Sequence, residues 1–341
     1  MNQKTPVFFL VKNRALGDSL MGLASVSYLR SLYPQSTIIY AVPAWVAPLY
    51  EAAKTDADLI YPLKLKSLGD ILELYTDLIN LKVEVIHEMH LSGRGEKVFS
   101  IFSLLKNIPF TFHNHHETQK TLVIDQGVKK ELIQRDLDGL YSFYGRHQKY
   151  PNFLDFVPKL NPVDKFKKYP LVILGVVATR QSKMWPLENY VELARLIYRK
   201  FPKTEVAIPL SKSSEDEEIK QKLNALDLPN NVSIKNWDLN YLPIAFSEAI
   251  LYIGNDTGLK HLAIAVGIKT YTFFGPEPAQ EWHPYNSQSH PYFYLENLAC
   301  RTRAQHYCGL SVCDLPLKNM ECLRVFNSDA VFEKIERDLR S

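Results

Sequence analysis

Short apolar runs alternate with amphipathic stretches along nearly the whole chain. Val7–Val11 is an apolar run that predicts a buried strand. The polar turn Asn13–Ser19 follows, then apolar residues at helical spacing over Leu20–Tyr33, ending before Pro34. Thr37–Val42 and Val83–His87 predict further strands, and Phe110–Phe112 a short one. Tyr61–Ile79 predicts a helix in its second half, and Glu96–Leu105 and Lys129–Tyr144 predict two more. The rhythm stops across Asn152–Pro170, where Pro158, Pro162 and Pro170 and the basic run Lys165–Lys168 mark a linker. It then resumes. Leu171–Val177, Thr204–Leu210, Val232–Ile234, Ala249–Ile253 and Lys269–Phe274 read as strands. Glu188–Lys200, Ser214–Leu226, Leu242–Ser247 and Leu259–Val266 read as helices, and Asp329–Arg340 as a charged terminal helix.

Strands alternating with helices on both sides of one linker predict two α/β domains in series. The expected boundaries are 1–160 for the first domain, 161–326 for the second, and 327–341 for a helix that returns to the first. Ligand is expected in a cleft between the domains, facing the carboxyl ends of both sheets.

Three polar turns fall at predicted strand ends: Asn13–Ser19, Ala178–Pro186 and Gly254–His261. The third opens a helix with Asp256-Thr257-Gly258, so its first N–H groups are free and the positive end of the helix dipole is exposed, a setting for a phosphate. The first carries a carboxylate, Asp18, and the second offers Thr179 and Lys183. This set suits transfer of a group from a nucleotide-linked donor: cations and N–H groups hold the charge of a departing diphosphate, and a carboxylate takes the proton of the attacking hydroxyl. Each residue also has a plainer reading. Asp18 can cap the following helix, Lys183 can be a solvated loop lysine, and His261 can pack in the first helical turn.

Composition is that of an ordinary globular protein, 46% hydrophobic and 23% charged over 341 residues. No apolar run reaches membrane-spanning length, and the first residues read as a strand and not as a signal peptide, so cytoplasmic residence is expected. Net charge is +3 with small basic clusters at Lys129-Lys130 and Lys165–Lys168, too diffuse for nucleic acid and compatible with transient contact with an anionic membrane surface. The motifs GxGxxG, GxxxxGK[ST] and GxSxG are all absent, which argues against a dinucleotide oxidoreductase, a P-loop enzyme and a serine hydrolase. His87, Glu88 and His90 are spaced too tightly for a zinc helix, and His113, His115 and His116 read as solvated loop residues. Cys300, Cys308, Cys313 and Cys322 lack a CxxC pair; thiols, a metal or redox cluster, and disulfides all stay open.

Four stretches together carry a family resemblance. They are Asn13–Met21 with its LGD turn, Thr179–Pro186 with its Lys-x-Trp-Pro ending, Asn255–Ala263 reading NDTGLKHLA, and Phe274–Pro278 reading FGPEP with Trp282 and Pro284. The chain resembles the heptosyltransferase-type family of bacterial glycosyltransferases. The resemblance implies a GT-B fold of two Rossmann-like domains, acceptor side first and nucleotide-sugar side second. It implies inverting transfer of a sugar, heptose from ADP-heptose foremost, to a lipopolysaccharide-type or other lipid-linked saccharide, without metal or other cofactor. It also implies Asp18 as catalytic base and Thr179, Lys183, Asp256, Thr257, Gly258, Leu259 and His261 as donor-diphosphate residues. Arg14, Gly17, Ser92 and Arg94 are acceptor-side candidates. Departures from the family pattern are Ala178, Glu277 in place of a threonine, and the segment His87–Gly93. A nucleotide-sugar epimerase and a non-catalytic nucleotide-sugar-binding protein are the alternatives to be separated by product analysis.

Overall fold

The structure is a computed structural model. It describes residues 5–120, 122–125, 128–164, 170–298, 300, 312–313 and 320–340. The basic run Lys165–Lys168 and Cys308 lie outside the described residues. The chain divides into two compact units, Met1–Asp125 with Lys130–Asn161, and Gln126–Lys129 with Pro162–Ser341.

The first unit is built on a five-stranded parallel sheet. Its strands are β1 (Val7–Val11), β2 (Thr37–Pro43), β3 (Leu59–Leu63), β4 (Val85–Met89) and β5 (Phe110–His113), in the order β3-β2-β1-β4-β5. Helices α1 (Leu16–Met21), α2 (Leu23–Leu32), α3 (Leu68–Asn80), α4 (Gly93–Lys106) and α5 (Leu132–Leu140) accompany it. Phe9 and Val11 of β1 join Leu74, Leu78, Phe99 and Phe102 in one core, while Phe8 and Leu10, on the alternate face, are also buried. A parallel strand covered on both faces must be apolar throughout, which is why VFFLV shows no alternation. The helix predicted for the second half of Tyr61–Ile79 is α3, and strand β3 occupies the stretch before it, for which the sequence predicts no element. Pairing with β2 overrides a short ambiguous run, and Ser67 and Asp70 then form a capping box that starts α3.

The second unit repeats the plan with six parallel strands: β6 (Leu171–Gly175), β7 (Glu205–Pro209), β8 (Val232–Lys235), β9 (Leu251–Asn255), β10 (Lys269–Phe274) and β11 (Tyr292–Tyr294), in the order β8-β7-β6-β9-β10-β11. Its helices are α6 (Leu187–Lys200), α7 (Ser214–Asn224), α8 (Leu242–Glu248), α9 (Gly258–Ala265), α10 (Ala279–Trp282), α11 (Glu321–Arg324) and α12 (Ser328–Ile335). The terminal helix α12 packs within the second unit. Val331, Phe332 and Ile335 of α12 are buried in the second unit's core with Tyr190, Leu193 and Ile197 of α6, because that apolar stripe matches the face of α6 beside it.

Both sheets reverse strand order beside their first strand, between β1 and β4 and between β6 and β9. The loops leaving those carboxyl ends diverge and leave a crevice, so ligand sites form there. Asp18 follows β1, Glu88 ends β4, the 178–186 loop follows β6, and Asp256 follows β9.

Candidate active site

The turn after β9 is held by a buried carboxylate. Asp256 Oδ1 accepts from Lys260 Nζ at 2.6 Å, and Oδ2 accepts from Lys183 Nζ at 3.2 Å. Burial works to raise the Asp256 pKa, but Lys183 and Lys260 outweigh it and hold the carboxyl well below its ordinary range. Lys260 is wholly buried, donates also to the Trp282 carbonyl at 2.8 Å, and sits 4.8 Å from the centre of the Phe274 ring. Burial lowers its pKa against the pull of Asp256. Lys183 is the more open of the two lysines; burial lowers its pKa, but Asp256 and Glu277 prevail and raise it. Glu277 lies 3.8 Å from Lys183 and also pairs with Arg180. Burial raises the Glu277 pKa. An anion arriving at Lys183 therefore meets a cation balanced by two carboxylates.

Lys183 owes its place to the residues around it. Trp185 is fully buried, stacks on Phe273 with ring centroids 4.2 Å apart, and donates its indole N–H to the Phe326 carbonyl. Asn255, also fully buried, accepts from the Trp185 backbone N–H (2.9 Å) and from the Tyr190 hydroxyl (3.1 Å), and donates to the Val176 carbonyl (2.8 Å). One amide thus ties the loop after β6 to the end of β9. Gly254 is required by packing: a Cβ there would lie 2.5 Å from the Tyr252 hydroxyl and 2.7 Å from the Gly175 carbonyl.

Thr257, Gly258 and Leu259 open α9, with Thr257 as an extended N-cap residue. Their position gives the helix terminus its free N–H groups. Thr179 is exposed on the neighbouring loop. His261 differs from expectation. It is buried, its Nδ1 is bonded to the Tyr285 hydroxyl, and burial together with Lys260 pushes its pKa well down. A neutral ring offers no cationic charge to a phosphate, and Nδ1 is already engaged by Tyr285.

A cavity of about 390 Å³ opens beside this turn, lined by Val177, Leu210, Lys212, Asp216, Trp237, Leu242 and Leu259 among others. Leu259 belongs to the first turn of α9, so the cavity adjoins the helix terminus. An apolar hollow with an indole wall and charged residues at its edge fits a nucleoside. Its residues come from the segments after β6, β7, β8 and β9, too far apart in sequence to be grouped without the sheet.

In the first unit, α1 starts at Leu16, so Asp18 stands inside the first helical turn and does not cap the helix; the cap position is Ala15, without a side-chain bond. Among the described residues the Asp18 carboxylate has no hydrogen-bond or ion-pair partner, and it is only partly buried. Arg14 is exposed beside it and Gly17 is partly buried. Ser92 caps α4, accepting from the Gly95 N–H and donating to Glu88 Oε1 at 3.1 Å. Arg94 is engaged elsewhere: it donates to the Leu65 and Lys66 carbonyls, which ties it to the loop before α3. Glu88 is buried, and burial lifts its pKa to about 7 against the bonds from Ser92. Gly95 makes room for it, since a Cβ there would lie 2.5 Å from Glu88 Oε1.

Behind this edge lies a charged network with no counterpart in the sequence reading. Lys12 is fully buried and donates to Asp136 Oδ2 at 2.6 Å; His113 and His115 each lie 3.0 Å from Asp136 Oδ1. His87 continues the chain, 2.9 Å from His113 and 2.7 Å from the Thr111 hydroxyl. His113 and His115 are thus not solvated loop residues. Asp136 lies on a helix 21 residues beyond His115, and only the fold reveals it as their partner. Burial works to raise the Asp136 pKa, but Lys12 holds it well below the ordinary range.

Two α/β units, each with its polar loops at the sheet's switch point, and a nucleoside-sized cavity beside a helix-terminal anion site define a GT-B glycosyltransferase fold. A family model for glycosyltransferase family 9 (heptosyltransferase) matches residues 119–308, more than half of the chain. The chain belongs to that family. It is 31% identical over 117 residues to lipooligosaccharide heptosyltransferase 2 of Campylobacter jejuni, covering 34% of this chain and 33% of the relative. It is 27% identical over 110 residues to lipopolysaccharide heptosyltransferase 1 of Campylobacter coli, covering 32% of each. The chain thus matches about a third of the length of these curated relatives. Among solved structures, E. coli ADP-heptose LPS heptosyltransferase II superposes with a TM-score of 0.72 at 17% identity, covering 98% of both chains. E. coli heptosyltransferase WaaC with ADP superposes at 0.67 with 15% identity, covering 97% of this chain and 99% of that one. No helix among the described residues is long and apolar enough to cross a membrane.

Proposed function

We propose that this protein is an inverting glycosyltransferase that moves heptose from ADP-heptose to a lipid-linked saccharide of the lipopolysaccharide type, working at the cytoplasmic membrane surface. One observation carries the donor half: Leu259 belongs both to the nucleoside-sized cavity and to the first turn of α9, beside Lys183. A nucleotide seated in the cavity places its diphosphate against the α9 terminus and Lys183. In the step itself, an acceptor hydroxyl oxygen forms a bond to the anomeric carbon as the bond from that carbon to the diphosphate oxygen breaks. Asp18 takes the hydroxyl proton, and the electron pair leaves on ADP. A single displacement inverts the anomeric centre. The leaving charge is met by Lys183 and the N–H groups of Thr257, Gly258 and Leu259, so the reading needs no metal. Asp256 and Lys260 hold that turn and do not touch the reacting atoms.

The test is calorimetric binding of ADP, UDP and GDP, followed by product analysis with ADP-heptose in the presence and absence of acceptor. Preferential binding of ADP and acceptor-dependent transfer are expected. An isomerised or released sugar without acceptor would make the protein an epimerase, and binding without turnover on any acceptor would make it a sugar-nucleotide-binding protein.

A further inference from the structure

The first unit exposes an apolar stripe on each of two neighbouring helices. On α3, Leu68, Leu72 and Ile79 face solvent; on α4, Ile101, Leu104 and Leu105 do, and Leu68 and Leu104 are 81% and 84% exposed. The two helices touch: the Tyr75 hydroxyl donates to the Val98 carbonyl at 2.6 Å, and the Tyr75 and Phe102 rings are 5.0 Å apart. At about 100° per residue, the α3 stripe lies next to Tyr75, on the flank that borders α4. The α4 stripe lies next to Val98, on the flank that borders α3. The stripes therefore form one surface, larger than scattered surface leucines require.

Charge is sorted around that surface. On α4, Arg94 and Lys97 fall on the same side as the exposed Ile101, Leu104 and Leu105, while Glu96 falls on the far side. On α3, the acidic Asp70, Glu73 and Asp77 all fall on the flank opposite the stripe, and Asp70 and Asp77 are bonded to the cap backbone and to the Tyr61 hydroxyl. An apolar face with basic residues beside it and acids turned away is the pattern of a helix lying in a lipid interface. A twofold contact with a second copy is disfavoured, because it needs a self-complementary surface and this one carries charge of one sign.

We infer that the α3–α4 face is a docking surface for an anionic lipid bilayer. The amino ends of both helices lie at the carboxyl edge of the sheet, where Asp18 and Glu88 are found. A protein resting on this face holds that edge near the membrane, where the saccharide of a lipid-linked acceptor projects. This purpose rests on the proposed function; the surface itself does not.

The experiment is co-sedimentation with vesicles of phosphatidylcholine alone and of phosphatidylcholine with phosphatidylglycerol. The wild type binds the second and not the first. Leu68→Asp and Leu104→Asp each weaken binding by roughly tenfold, and Lys97→Glu weakens it in a manner that added salt reproduces. All three variants keep wild-type melting and wild-type turnover on a delipidated acceptor, since the altered side chains are exposed. Vesicle binding by Leu104→Asp equal to wild type, or no binding by the wild type, overturns the inference. So does a wild-type dimer that Leu104→Asp splits into monomers. Vesicle binding without sugar transfer on any acceptor would instead leave this surface in place and remove the proposed function.

Discussion

Asp256 and Lys260 form an ion pair one helical turn apart, Oδ1 to Nζ 2.6 Å, with both side chains buried. Breaking such a pair from one side leaves a buried charge without compensation, at a cost of about 3–5 kcal/mol. Asp256→Asn is expected to lose roughly that much stability in denaturant melts near neutral pH. The Asp256 pKa is depressed in the folded state. Its contribution is therefore present above the unfolded carboxylate pKa and lost as pH falls through the folded one. The gap between wild type and variant should narrow on acidification.

Lys183 shares the same carboxylate but sits at the open side of the turn. Lys183→Ala is expected to weaken ADP binding by about tenfold to a hundredfold, as loss of one charge-assisted contact does. Its stability loss should be smaller than that of Asp256→Asn, since Lys260 still pairs with Asp256. Calorimetry and melting on the same preparation separate the two effects. Unchanged ADP affinity would return Lys183 to an ordinary structural role.

Asp18 has no partner to lose among the described residues. Asp18→Asn should leave melting and ADP affinity at wild-type values while turnover falls by roughly 10²–10⁴, the usual contribution of a general base. Full turnover in this variant would remove Asp18 from the mechanism.

Trp237 forms part of the wall of the cavity beside Leu259. Trp237→Ala should weaken ADP binding by roughly tenfold, the affinity equivalent of about 1.4 kcal/mol. Binding of inorganic pyrophosphate, which does not reach the cavity, should not change. Equal losses for both ligands would argue that the indole supports the fold and not the nucleoside.

Glu88 provides a pH signature in the first unit. Its folded pKa of about 7 lies above the ordinary 4.5. The stability it contributes is complete below the lower value and lost as pH rises through the upper one. Glu88→Gln keeps the acceptor for Ser92 and removes the ionisation. The variant is expected to be more stable than wild type above about pH 8, by roughly 1–3 kcal/mol, and to show a flatter profile between pH 5 and 8. Parallel profiles for the two proteins would show that Glu88 does not titrate in this range.

The periodicity of the chain determined the repeating strand–helix plan, and the positions of Lys183 and of Asp256–Leu259 at strand ends followed from it. Those features are local: an apolar run, a breaker and an amphipathic stretch read the same in any context. Strand β3 was not legible, because a short apolar run becomes strand or helix according to its neighbour, and β2 supplied the edge. The partner of the last helix was not legible either, since an apolar stripe states that a face is covered and not which element covers it; here that element is α6.

Everything that depends on distance across the fold was decided by tertiary structure. Asn255 joins two loops 70 residues apart at Trp185, and the cavity gathers side chains from separate strand ends. Lys12, His113 and His115 meet on Asp136 only because β1, β5 and α5 converge. His261 carries the same letter whether it faces a phosphate or is buried against Tyr285. A residue type states what chemistry is available; burial and partners decide its charge and reach, and both come from packing.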